Sequence, residues 1–203
     1  MFSFTSREKQ ELLIGTSIFL IVGLSQKVNP VDFIFSINAG LILDLLVLAT
    51  FMIPLWLFHE LAHKFSAQYY GLYSEFRLYP FFALISLISA FFTFKIIAPG
   101  VVHISGGYRS DTPARTAMAG PLVNILIGGI LLTITAITSL YWSRILLYIS
   151  YWSFSLALFN LLPFSVLDGA KIFHWNQRVY ILIFSLTLIF YLFHPNGFFG
   201  SSL

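Results

Sequence analysis

Long apolar stretches separated by short polar segments dominate the chain, and this pattern predicts membrane-spanning helices. Six apolar stretches stand out along the 203 residues, at positions 12–26, 39–63, 79–101, 114–140, 145–162 and 179–194. A helix needs about 20 apolar residues to cross the hydrocarbon core of a bilayer, so the first and last stretches are short for a span. We therefore expect an all-α polytopic membrane protein, a bundle of about five to six transmembrane helices.

Composition supports a membrane protein and limits the possible partners. Hydrophobic residues make up 58% of the chain and charged residues 9%, whereas a soluble domain carries about 25% charged residues. The longest polar stretch, 105–116, has the length of a loop, so we expect one integral membrane domain over residues 1–203, without a PDZ-like or CBS-like domain. The net charge of +3 is dispersed along the chain, which argues against nucleic acid as a partner.

The second apolar stretch ends in His-Glu-Leu-Ala-His, residues 59–63. Residues i and i+4 lie on one face of a helix, so His59 and His63 can present two imidazole nitrogens to one zinc ion. Glu60 would stand beside the water that such an ion activates and could act as its base. The pattern therefore predicts a zinc site for metal-assisted hydrolysis. Cysteine is absent, so the remaining protein ligands must be histidine or carboxylate.

A catalytic zinc usually takes three protein ligands, so a third one has to be found. Asp44 precedes His59 by fifteen residues on the same helix, about 22 Å along its axis, and cannot reach the same ion. Asp168 follows the fifth apolar stretch, between Pro163, which should end that helix, and Gly169, which permits a tight turn. An Asp-Gly pair after a span could equally be a simple interfacial turn, and spacing alone does not separate the two interpretations.

Topology provides a second test of Asp168. The histidines and Asp168 both lie at the C-terminal ends of their stretches, so they can meet only if an even number of crossings separates them. The fourth and fifth stretches supply two crossings. We therefore expect the third stretch to dip into the membrane and return, as a re-entrant or β-hairpin-like segment around 79–107, whose Phe, Thr and Ile content suits a strand as well as a helix.

The distribution of Lys and Arg favours the same arrangement. If all six stretches cross, the two sides carry five and six basic residues, and this difference is too small to indicate which side faces the cytosol. With a re-entrant third stretch, two basic residues, Lys27 and Arg144, face nine on the other side. Those nine are Arg7, Lys9, Lys64, Arg77, Lys95, Arg109, Arg115, Lys171 and Arg178. Because basic residues concentrate in cytoplasmic loops, this asymmetry predicts a multi-pass protein of the cell membrane with its N-terminus and its site towards the cytosol.

Two asparagines lie in otherwise apolar spans. Gly120, Asn124 and Gly128 recur every four residues on one face of the fourth stretch, and Asn160 ends a similar face on the fifth. Either asparagine could hold neighbouring helices together by a hydrogen bond or could bind the backbone of a substrate, and both interpretations stay open.

Taken together, these motifs resemble those of the site-2 protease family, the intramembrane zinc metalloproteases. The match covers His59-Glu60-Leu-Ala-His63, Ala119-Gly120-Pro121-Leu-Val-Asn124 and the segment 160–169, in that order, within a catalytic core of about 39–175. The resemblance implies one Zn²⁺ per chain held by His59, His63 and Asp168, with Glu60 as the catalytic base and Asn124 and Asn160 near the active site. Its departures, Ser165 where a second proline is frequent and Ala170-Lys171 after the Asp-Gly pair, alter no ligand.

The implied substrate is a transmembrane helix of another protein, which must unwind locally before its backbone can react. Residues 101–107, with Gly100, Gly106 and Gly107 giving freedom, could pair with the unwound segment by edge addition, and the short first and last spans could open the entrance.

Two alternatives remain. One is a protease that cuts at the membrane surface with Glu75 as third ligand, and the other is a metal carrier or binding protein without enzymatic activity.

Overall fold

The structure, a computed structural model, describes residues 4–25, 30–31, 33, 37–92, 95–106, 111–138, 143–164 and 167–195. The fold is mostly helical, with seven helices that matter for the site. They are α1 (Ser6–Leu24), α2 (Ala39–Tyr69), α3 (Pro80–Ser89), α4 (Thr112–Ile137), α5 (Ser143–Asn160), α6 (Asp168–Trp175) and α7 (Gln177–Leu192). The predictions that involve Lys27, Gly107, Arg109, Ser165 and the side chain of Asp44 lie outside the described parts of the chain.

Two of these helices are long and apolar enough to cross a membrane. They are α2, with 31 residues, and α4, with 26. The shorter apolar helices α3 and α7 do not reach the length of a span. The structure thus supports a mostly helical protein with two candidate spans, fewer than the five to six helices expected from the sequence.

The helices are accompanied by a small antiparallel sheet, where the sequence predicted a re-entrant or β-hairpin-like segment around 79–107 in an otherwise all-α protein. Strand β1 (Tyr73–Leu78) pairs with β2 (Gly100–Ser105) in a register that sets Phe76 opposite Val102. Strand β2 falls inside the segment expected to be re-entrant or hairpin-like, but β1 precedes that segment. Strand β1 does not form an apolar stretch in the sequence, because it contains Ser74, Glu75 and Arg77.

The segment after β1 leaves the sheet and comes back to it. The backbone N–H of Tyr79 donates to the carbonyl of Pro99 at 3.0 Å, so the two ends of the segment are neighbours. Its helix, α3, has ten residues and is about 15 Å long, roughly half the thickness of a bilayer core. The neighbouring ends of this segment are compatible with the re-entrant path expected from the sequence.

An aromatic core connects α1, α2 and β1. Phe19 stacks on Trp56 with their ring centroids 6.0 Å apart, and the edge of Phe76 meets Trp56 at 5.5 Å. Burying each such ring contributes about 1.5–3 kcal/mol. Trp56 lies one helical turn before His59, so this core fixes the end of α2 that carries the histidines. Helix α2 runs through Pro54 and ends just before Gly71, which takes a left-handed φ of +75°.

Candidate metal centre

Two histidines of α2 and one aspartate of α6 meet at a single point. Nε2 of His63 lies 3.1 Å from Nε2 of His59 and 3.0 Å from Oδ2 of Asp168, and the His59 nitrogen lies 3.7 Å from that oxygen. Ligands around a tetrahedral zinc at about 2.0–2.1 Å are separated by about 3.3 Å, so the three atoms are spaced to share one ion. All three residues are buried, and the described part of the chain holds no other such group of ligands.

The approach of α6 to the histidines depends on a glycine. Asp168 is the first residue of α6, and the chain turns back towards the site just after α5 ends. A Cβ added to Gly169 would lie 2.1 Å from the carbonyl oxygen of Leu161. The backbone of Gly169 does not take a left-handed φ. The glycine is therefore needed for close packing of α6 on the end of α5, and not for the tight turn expected from the sequence.

A second glycine makes room for the imidazoles. A Cβ on Gly120 of α4 would lie 2.3 Å from Nε2 of His63 and 2.7 Å from Nε2 of His59. No side chain fits there without displacing the ligand atoms. The sequence placed Gly120 on a face of small residues. In the structure this face of α4 packs directly against the imidazoles of His59 and His63, which explains why a small residue is needed there.

The far side of the His63 ring is held by α4. Nδ1 of His63 lies 2.8 Å from the carbonyl oxygen of Thr116, which can only accept. Nδ1 therefore carries the proton and donates it, and Nε2 keeps its lone pair for a metal ion. Outer partners of this kind fix both the tautomer and the orientation of a ligating imidazole.

Asn124 plays the same part for His59. Its amide lies 3.0 Å from Nδ1 of His59, and its Oδ1 has no hydrogen-bond partner among the residues that the structure describes. The nitrogen and oxygen of a side-chain amide are interchangeable in assignment. With the two exchanged, Oδ1 accepts the Nδ1–H of His59, and Nε2 is free to bind a metal ion. The Oδ1 of Asn124 can therefore accept a hydrogen bond from a His59 ring that binds a metal ion through Nε2.

The ligand cluster opens into a cavity of about 390 Å³. Glu60, Asn160 and Lys171 contribute polar groups to its wall, and residues 100–104 of β2 run along one side. Apolar side chains complete the lining, among them Trp56, Leu72, Tyr79, Phe82, Leu156 and Leu167. Asn124 does not line the cavity. Its side chain therefore contacts His59, a candidate metal ligand, and not a molecule bound in the cavity.

The remaining candidate residues differ in their surroundings. Glu60 is buried at the cavity wall and has no hydrogen bond or ion pair to any described residue, which leaves its carboxylate available to a reactant. The amide of Asn160 donates to the carbonyl of Leu156 at 3.0 Å. Nζ of Lys171 lies 3.5 Å from Oδ1 of Asp168, the carboxylate oxygen that faces away from the histidines.

Glu75, the alternative third ligand, is not part of the cluster. Its carboxylate accepts hydrogen bonds from the hydroxyls of Thr5 and Tyr73 and from Arg77. The bond from Thr5 contributes most to holding the pKa of Glu75 below its ordinary value, followed by the bond from Tyr73. The carboxylate of Glu75 thus connects the N-terminal segment to the sheet and does not bind a metal ion with His59 and His63.

Comparison with known proteins agrees with the donor set. No protein-family model matches the chain, and no solved structure matches it. The chain is 32% identical over 178 residues to the protein of Methanocaldococcus jannaschii named "Putative zinc metalloprotease MJ0611". The alignment covers 85% of this chain and 92% of that relative. On this similarity, the chain belongs to the zinc metalloprotease family of the Methanocaldococcus jannaschii protein.

Proposed function

We propose that this protein is an intramembrane zinc endopeptidase of the site-2 type, which cuts peptide bonds within transmembrane segments of other membrane proteins. The observation that carries the proposal is the arrangement of the cavity. His59, His63 and Asp168 converge at its wall beside Glu60, the histidines lie on a helix long enough to span a bilayer, and residues 100–104 of β2 line the same cavity. One zinc ion per chain fits this donor set.

The chemistry would be hydrolysis with Glu60 as base. A zinc ion in this cluster would lower the pKa of water and polarise the scissile carbonyl. Glu60 would take the proton of the attacking water and pass it to the leaving amine, since it is the carboxylate at the cavity that is not engaged with another group. Thr116 and Asn124 would hold the imidazoles in the required tautomer from behind.

The substrate would bind as an extended strand along β2. The N–H of Phe76 and the N–H of Leu78 both turn away from β2. Residues opposite them in the register, Val102 and Gly100, therefore form non-hydrogen-bonded pairs with β1, and by alternation so does Ile104. Their backbone groups point to the other edge of β2, where an unwound substrate segment could pair with them.

In the membrane, α2 and α4 would cross, and we propose that α1, α5 and α7 complete a multi-pass bundle. Apolar side chains on the outer faces of α1 and α7 support this, for example Leu13, Ile21, Leu182 and Ile189, all of which are exposed. The asymmetry of basic residues supports an orientation with the N-terminus and the site towards the cytosol. Movement of the peripheral helices α1 and α7 would admit substrate and water.

Cleavage assays on purified protein test the proposal. The protein in detergent is incubated with a panel of single-span substrates, with and without a chelator, and products are identified by mass spectrometry. We expect chelator-sensitive cuts within the apolar segment. A Glu60→Gln variant should keep its zinc and lose cleavage by about 10²–10⁴-fold. Cuts outside the apolar segment would indicate a surface protease, and zinc without any cleavage in the unaltered protein would indicate a carrier.

A further inference from the structure

A buried ion pair lies next to the metal ligands, and the proposed chemistry does not use it. Lys64 directly follows His63, and its Nζ lies 2.8 Å from both carboxylate oxygens of Glu8 on α1. Both side chains are almost completely buried, with 2% of Lys64 and 1% of Glu8 exposed. Charges are rarely buried without a specific geometric reason, because removing them from water is costly.

The same groups bind the outer edge of the sheet. Oε1 of Glu8 accepts the N–H of Phe76 at 3.0 Å, and Nζ of Lys64 donates to the carbonyl of Ser74 at 3.0 Å. One turn further along α1, Oε2 of Glu11 accepts the N–H of Leu78 at 2.8 Å. Side chains three residues apart on one face of α1 thus bind backbone groups two residues apart on β1, as a neighbouring strand would.

This contact determines which edge of the sheet is open. The outer edge of β1 is occupied by α1, whereas no described strand pairs with the other edge of β2, whose residues 100–104 line the cavity. Lys64 also links the sheet to α2, since the hydroxyl of Ser74 donates to the carbonyl of Lys64 at 3.1 Å. The sheet is therefore fixed to α1 through Glu8 and Glu11, and to the helix that carries His59 and His63 through Lys64, which also binds Glu8.

We propose that Glu8 and Glu11 are positioning residues that set which peptide bond of the substrate faces the metal centre. They would do so by holding β1, and with it β2, at a fixed offset from the histidines. The inference rests on the proposed function, since it requires that an extended substrate pairs with β2. Neither residue touches the substrate, and their effect is transmitted through the sheet.

The test is the position of the cut. Glu11→Ala removes the acceptor for Leu78 and leaves the buried pair intact. Arg7→Ala is the matched control, because it removes the exposed partner of Glu11, 2.6 Å away, without touching the sheet. A second variant, Glu8→Leu with Lys64→Met, removes both buried charges together and avoids an unpaired one. Each protein is assayed for zinc content, KM, kcat and the bonds cut in one single-span substrate.

We expect Glu11→Ala to cut at neighbouring bonds that the unaltered protein leaves intact, with a KM raised by about two- to tenfold and unchanged zinc content. The double variant should do the same, and Arg7→Ala should behave like the unaltered protein. A merely structural contact would lower the yield of folded enzyme without moving the cut. If Glu11→Ala and the double variant cut the original bond alone with an unchanged KM, the positioning role is overturned. If the unaltered protein cuts no substrate, the proposed function fails first, and the positioning role fails with it.

Discussion

Oδ2 of Asp168 lies 3.0 Å from Nε2 of His63, although the two residues come from opposite halves of the chain. The contact depends on α5 and α6 folding back over α4, with Gly169 pressed against the end of α5. It brings a carboxylate to two imidazoles in a buried place, where an unpaired charge would be costly. A bound cation is the simplest way to satisfy all three groups.

Asp168→Asn should abolish stoichiometric zinc binding. Loss of an outer partner already weakens metal affinity by about 10–100-fold, so loss of a charged ligand should weaken it by at least that much. Zinc content of the purified protein, measured by mass spectrometry after dialysis, checks this. Asp111→Asn is the control, since that aspartate pairs with Arg115 away from the cluster. A variant at Asp168 that keeps one zinc per chain would show that the carboxylate is not a ligand.

Gly120→Ala should also lose zinc while keeping its fold. The added methyl group would lie 2.3 Å from Nε2 of His63 and 2.7 Å from Nε2 of His59, and would push the imidazoles away from Asp168. Gly129→Ala on the same helix is the control, because nothing lies within 4 Å of its added Cβ. Helicity by circular dichroism and zinc content should separate the two variants. Equal zinc content in both would mean that α4 does not close on the cluster.

The sequence predicts the parts of the site that depend on local geometry. His59 and His63 follow from the spacing of one helical turn, and Glu60 follows from their motif. The return of the segment after Tyr79 follows from counting crossings, because two residues that bind one ion must lie on one side. These arguments need no knowledge of packing between distant segments.

The remaining features depend on packing, and a pattern of apolar residues does not carry that information. Glu8 and Lys64 look like ordinary charges of a helix end and of a segment after a span, yet they form a buried pair. The contact of Asn124 with Nδ1 of His59 depends on how α4 packs against α2, which the sequence does not show. Among the described helices, only α2 and α4 are long and apolar enough to count as spans by themselves, since helices such as α5 pack against their neighbours and need not be as uniformly apolar as an isolated span.

Val102→Pro should reduce cleavage of a transmembrane substrate without unfolding the sheet. Proline removes the backbone N–H of Val102, which points to the free edge of β2 and not to β1. We expect KM to rise by about two- to tenfold, as expected for one lost hydrogen bond. Val102→Ala keeps the N–H and is the matched control. His103→Pro removes an N–H directed to β1, and it should lower thermal stability instead. Unchanged cleavage by Val102→Pro would exclude substrate pairing at this edge.

Asn124 offers a test of how the ligand His59 is held. If the amide oxygen accepts the Nδ1–H of His59, Asn124→Asp keeps an acceptor in place and should retain zinc, whereas Asn124→Leu removes that acceptor and should lower zinc affinity by about 10–100-fold. If instead Nδ1 of His59 accepts from the amide nitrogen, the neutral ring carries its proton on Nε2 and cannot bind zinc there, and Asn124→Leu should leave zinc affinity unchanged. Zinc affinity measured by competition with a chelator distinguishes the two cases. Asn160→Leu is the control, since that asparagine bonds within its own helix and touches neither histidine.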